Sequence, residues 1–86
     1  MIAVKIEILY FAWVRERIGC SKEIIETNAR TVSELIDDLT ARDESYKWAF
    51  QDTSLLRVAI NQELSDITSS LKDASEVAFF PPMTGG

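Results

Sequence analysis

The chain reads as an α+β domain, a mixed sheet of about five strands with one main helix across one face. Three observations predict this. Residues 2–11 alternate, with Ile2, Val4, Ile6, Ile8 and Tyr10 on one side and Ala3, Lys5, Glu7, Leu9 and Phe11 on the other, the period of a half-buried strand. Residues 32–39 change to a helical period behind a capping signal. Residues 76–80 form a last strand that Pro81-Pro82 stops, because proline has no N–H to give a ladder.

After the first strand, Val14 and Ile18 lie four apart among Arg15, Glu16 and Arg17, and Gly19 follows where a helix C-cap belongs. One or two helical turns are expected over Ala12–Ile18. Lys22–Thr27, with the β-branched pair Ile24 and Ile25, reads as a second strand returning antiparallel beside the first. Thr31-Val32-Ser33-Glu34 is a capping box, in which hydroxyl and carboxylate satisfy free N–H groups at a helix start. Behind it Val32, Leu35, Ile36 and Leu39 make the apolar stripe, leaving Glu34, Asp37, Asp38 and Arg42 for solvent.

Tyr46, Ala49 and Phe50 suggest a short helical turn within the irregular stretch 43–53. Leu55–Ile60 reads as a third strand, with Leu56, Val58 and Ile60 on one face. Asn61-Gln62 is expected to turn, since Asn tolerates the left-handed region, and a short fourth strand follows around Glu63 and Leu64. Residues 1–80 are expected to form one domain and 81–86 an extended tail.

Composition narrows the function. The 86 residues hold nine Lys and Arg against fourteen Asp and Glu, a net charge of −5, with the cations spread thinly. A protein that tracks phosphates needs a basic stripe, so nucleic acid is not the expected partner. The longest apolar run, Ile8–Val14, is far short of the roughly 20 residues of a membrane span. Lys5 and Glu7 interrupt what would be a signal peptide's apolar stretch, and a single cysteine allows no internal disulfide, so a reducing, cytoplasmic setting is expected. With no histidine and only Cys20, neither an imidazole base nor a thiolate metal cluster is available, and no metal site is expected. Cys20 itself reads as a packing residue, because no positive cluster lies near it in sequence to lower its pKa. Trp13 and Trp48 read as packing and Asp37-Asp38 as a solvated face.

The unusual reactive group is the terminus. Pro81 and Pro82 hold φ near −65° and favour extended geometry, so they act as a stiff stalk. Met83 and Thr84 continue it. Gly85 and Gly86 lack a Cβ, which lets the backbone thread a channel closed to other residues. The carboxylate of Gly86 is an anion at neutral pH and a poor electrophile until activated, for example as an acyl adenylate open to a sulfur nucleophile. The competing reading is a frayed end after a terminated strand.

Three segments, Tyr10-Phe11-Ala12-Trp13-Val14-Arg15-Glu16 with Gly19, Val58-Ala59-Ile60-Asn61-Gln62, and Glu76 through Gly86, make the chain resemble the molybdopterin synthase small subunits, which are ubiquitin-like sulfur carriers. The resemblance implies a β-grasp fold with the first and last strands parallel and adjacent at the sheet centre. It also implies that Gly86 is adenylated by a ubiquitin-activating-like adenylyltransferase using ATP and converted to a thiocarboxylate. The tail, Pro81, Pro82, Met83, Thr84 and Gly85, then threads into the large synthase subunit, whose pocket transfers sulfur to a cyclic pyranopterin precursor in molybdenum cofactor biosynthesis. This chain itself is expected to bind no cofactor, and the family implies a 2:2 heterotetramer. Phe11, Phe80 and Leu64 are expected to surround the tail root as an apolar docking patch, the alternative being that Phe11 and Phe80 cover one another. A carrier for another cofactor such as thiamin, a ubiquitin-like modifier of protein lysines, and an interaction module using only the sheet face are the remaining alternatives.

Overall fold

The computed structural model describes residues 3–82. Its elements run β1 (Val4–Tyr10), α1 (Ala12–Ile18), β2 (Lys22–Thr27), α2 (Val32–Thr40), α3 (Glu44–Ala49), β3 (Arg57–Ile60), β4 (Glu63–Ser65) and β5 (Glu76–Phe80). The strands form one sheet in the order β2-β1-β5-β3-β4. β1 and β5 are parallel, with Ile8 opposite Val77 and Tyr10 opposite Phe79, and the other neighbours are antiparallel. This is the β-grasp arrangement, with β5 as the middle strand and β1 beside it.

The alternation in β1 decides which face is covered. Ile6, Ile8 and Tyr10 are buried, together with Ile25, Val58, Val77 and Phe79 from the neighbouring strands. Val32, Leu35, Ile36 and Leu39 of α2 pack onto that face and complete the core with Val14, Ala49, Phe50, Leu56 and Leu71. Burying such side chains contributes roughly 1.5–3 kcal/mol each, which is what holds a domain of this size against its chain entropy.

Local chemistry sets the ends of the helices. At α2 the amide of Glu34 donates to Thr31 Oγ1 at 3.2 Å, while the Glu34 carboxylate accepts from the amide of Arg30 at 3.0 Å. The two N–H groups before Glu34 are also satisfied, that of Val32 by the Ser69 carbonyl and that of Ser33 by the Ile67 carbonyl. The long connection from β4 to β5 therefore doubles as a backbone cap for α2. At α1, Gly19 has φ +98° and donates to the Arg15 carbonyl, as a left-handed C-cap does.

Three local expectations need correction. The first strand ends at Tyr10, because Phe11 is already the N-cap of α1 and Ala12 turns the chain with φ +52°. The third strand begins only at Arg57: Thr53–Leu55 form a 3-10 turn, started by Asp52, whose carboxylate accepts from the amide of Ser54. Asp38 and Arg42 do not face solvent freely. Asp38 accepts from Thr27 Oγ1 at 2.6 Å and pairs with Arg42 at 3.1 Å, and Arg42 also donates to the Glu26 carbonyl at 2.8 Å, tying the end of α2 to β2.

Among the described residues no helix is long and apolar enough to cross a membrane.

Candidate functional site

The face of the sheet opposite α2 carries an unusual row. Following the strand register, Lys22, Leu9, Ala78, Ala59 and Leu64 stand side by side across all five strands. The two alanines put a low centre between the larger Leu9 and Leu64. Leu64, on the edge strand β4, is 74% exposed. One step towards the tail, Phe80 lies opposite Arg57, and Phe11 continues β1 beside Phe80 by donating its amide to the Phe79 carbonyl at 3.1 Å. Phe11 is 46% exposed and Phe80 half-buried.

An exposed apolar surface of this kind is costly in water unless something covers it. It meets the start of the tail, since Pro81 and Pro82 follow Phe80 directly and are half-buried without regular secondary structure. Met83, Thr84, Gly85 and Gly86 lie outside the described residues. The next row away from the tail is acidic, with Glu7 opposite Glu76 and Ile24 beyond them on β2.

Of Phe11, Leu64 and Phe80, expected from sequence as a docking patch, Phe11 and Phe80 lie side by side at the end of the sheet next to Pro81, while Leu64 shares their face but stands one row back on the edge strand β4. Phe11 takes part in neither of the ring pairs at this end, a stack of Tyr10 on Phe79 at 6.3 Å and an edge-to-face contact of Phe50 with Phe79 at 5.0 Å. Leu9 and Ala59, both half-buried, and Ala78, which is buried between them, lie on the same face, although nothing in their residue types singled them out. Their signal was positional, because each alternates with a buried neighbour.

Beneath this surface is a polar group that sequence reasoning missed. Glu23 Oε2 accepts from the hydroxyl of Tyr10 at 2.7 Å and from that of Tyr46 at 2.6 Å. Burial first, and then the hydrogen bond to Glu23, push both phenols well above the ordinary tyrosine range. Cys20 lies against the same core, and burial followed by the charge of Glu23 pushes its thiol up, the opposite of what a reactive thiolate requires. Trp13 and Trp48 hold the guanidinium of Arg17 between them, 4.7 Å and 5.1 Å from the two ring centres, so they act as a clamp between α1 and α3.

The described part of the site therefore presents a surface beside Pro81 and Pro82. Among the described residues no three His, Cys, Asp or Glu side chains gather as a metal ion would need.

The profile of the ThiS family matches residues 8–86. A molybdopterin synthase sulfur carrier subunit from Escherichia coli (strain K12) is 40% identical over 81 residues, covering 94% of this chain and 99% of the relative. Its counterpart of the same name from Haemophilus influenzae is 37% identical over the same shares. The crystal structure of SAMP1 from Haloferax volcanii, 21% identical, superposes with a TM-score of 0.75 over 96% of this chain and all of that one, which shows the shared fold. On the family match and on these sequence identities, the chain belongs to the ThiS family and is a relative of the molybdopterin synthase sulfur carrier subunits.

Proposed function

We propose that the chain is the sulfur-carrying subunit of a molybdopterin synthase and that the carboxylate of Gly86 carries the sulfur. The observation that bears most weight is the family match, which runs through Gly85-Gly86, together with the full-length relationship to sulfur carriers at 40% identity. A subunit implies a second one, and the apolar face at the tail root suits that role.

The chemistry follows from the group. An ionised carboxylate has no leaving group, so an adenylyltransferase uses ATP to form the acyl adenylate, with pyrophosphate released. A sulfur nucleophile then displaces AMP and leaves a thiocarboxylate on Gly86. Docking through Phe11, Phe80 and Leu64 directs the tail into the large subunit, and Gly85 and Gly86 allow passage through a narrow channel. There the thiocarboxylate sulfur forms a carbon–sulfur bond to the pyranopterin precursor in place of a carbon–oxygen bond, whose oxygen leaves, and water cleaves the acyl–sulfur link to return the Gly86 carboxylate and leave the sulfur on the precursor. Two such deliveries complete a dithiolene. The acid–base groups belong to the large subunit, the assembly is a 2:2 heterotetramer, and the setting is the cytoplasm.

The test is direct. Protein incubated with the adenylyltransferase, ATP and a sulfur donor is expected to gain the mass difference between sulfur and oxygen at its terminus. Combined with the large subunit, it should convert the precursor to molybdopterin. Conversion by a form lacking Gly86 would overturn the proposal, and Gly-Gly remnants on protein lysines without any thiocarboxylate would favour a protein modifier.

A further inference from the structure

We propose that Glu23 is a positioning residue for docking: by holding Tyr10 and Tyr46 on one carboxylate oxygen, it fixes the spacing of Phe11 and Phe80 at the root of the tail. The inference rests on the sulfur-carrier reading for its partner, the large synthase subunit, and on local geometry for its mechanism.

The geometry links three elements to two side chains. Glu23 is on β2, Tyr10 ends β1, and Tyr46 belongs to α3. Both phenols donate to the same Oε2, at 2.7 Å and 2.6 Å, in a part-buried setting. Hydrogen bonds to an ionised acceptor are shorter and stronger than neutral ones, and they weaken little where water is scarce. Tyr10 is therefore held at its hydroxyl by β2, and its ring is stacked nearly parallel on Phe79, with 12° between the planes.

Each of those two rings immediately precedes a docking residue. Tyr10 precedes Phe11 and Phe79 precedes Phe80, and because side chains alternate across a strand, a ring fixed in the core fixes the opposite projection of the next residue. The Phe11 amide bonded to the Phe79 carbonyl locks the two together. The chain turns sharply just beyond, at Ala12 with φ +52°, and the Phe11 carbonyl accepts from the amides of Val14 and Arg15 as α1 begins, so Phe11 is the last residue held by the sheet. Stability alone does not require this arrangement. A phenylalanine at residue 10 would fill the core equally well, whereas a tyrosine there needs a buried acceptor.

The test uses the full chain, Tyr10→Phe, the double variant Tyr10→Phe with Tyr46→Phe, Glu23→Ala and Glu23→Gln. In hydrogen exchange, the Phe11 amide is expected to exchange at least about tenfold faster in the double variant and in Glu23→Ala, beyond any change shared by the core amides. With the large subunit, Kd is expected to rise about tenfold in the same two variants, with the turnover of thiocarboxylated protein at saturating partner within about twofold of the parent. Glu23→Gln keeps an acceptor oxygen and should restore most of both properties.

An unchanged Phe11 exchange rate, in variants that are folded, overturns the positioning role whatever the partner does. Unchanged affinity with altered exchange overturns its link to docking. If instead the parent protein neither binds the large subunit nor transfers sulfur, the sulfur-carrier reading fails, and the exchange experiment still decides the positioning.

Discussion

Asn61 and Glu76 are joined in both directions: the Asn61 amide donates to the Glu76 carbonyl at 2.9 Å, and the Glu76 amide donates to Asn61 Oδ1 at 3.0 Å. The same Oδ1 accepts from the amide and hydroxyl of Ser75, and Nδ2 donates to the Asp73 carbonyl. A turn residue at φ +50° thus anchors the start of β5, the middle strand. Asn61→Ala removes these side-chain bonds and puts a residue that disfavours the left-handed region there, so urea unfolding should show a loss of about 2–3 kcal/mol. Asn61→Asp keeps the acceptor and should lose less.

The alkaline limb of stability should report Tyr10 and Tyr46, the only tyrosines of the chain. Both phenols are raised by burial and by the bond to Glu23, so the folded state keeps its protons where the unfolded chain loses them. Their contribution is present in full below the unfolded value of about 10 and is lost as pH rises above it. Tyrosinate absorbance should therefore appear only with unfolding. The double Tyr→Phe variant should flatten the decline of stability above that pH.

On the acid side one relevant group is Asp38. Its carboxyl is held below the ordinary range, first by the hydroxyl of Thr27 and then by Arg42. A lowered folded pKa makes its contribution complete above the unfolded value of about 3.9, and lost as pH falls through the lower folded value. Thr27→Val and Asp38→Asn should both reduce the slope of stability against pH below about 4, measured by thermal melts across that range.

Leu64 offers a separation of docking from folding. It is 74% exposed on an edge strand, so Leu64→Asp should shift stability by no more than about 0.5 kcal/mol. Affinity for the large subunit should fall by at least about tenfold, read by calorimetry, because a charge would enter an apolar contact.

The clamp between the helices is testable through Arg17. Arg17→Met keeps the aliphatic stem but removes the charge between Trp13 and Trp48, and should cost about 0.5–1.5 kcal/mol, visible also as a change in tryptophan fluorescence.

Much of the architecture was legible in residue order. The alternation of β1, the capping box at Thr31 and Glu34, the stripe of α2, the Asn61-Gln62 turn and the stop at Pro81 are all local signals, and the structure places their elements accordingly. The start of β3 was not, because Leu55 and Leu56 are both apolar, whereas the 3-10 turn leaves Leu55 exposed and only the extended residue after it, Leu56, is buried. Asp38 was misread for a related reason. Helical periodicity assigns it to the solvent side, and only the approach of β2 supplies Thr27.

The sequence by itself determined the backbone freedom allowed along Pro81-Pro82 and Gly85-Gly86, since the fixed φ of proline and the missing Cβ of glycine depend only on each residue's own bonds. Only the tertiary structure decided that Leu9, Ala78, Ala59 and Leu64 form one row, and that residues 10, 23 and 46 share a single carboxylate oxygen. The reason is physical. Alternation fixes a side chain's face within its own strand, whereas strand order and register, which bring distant residues together, follow from burying all the apolar faces at once.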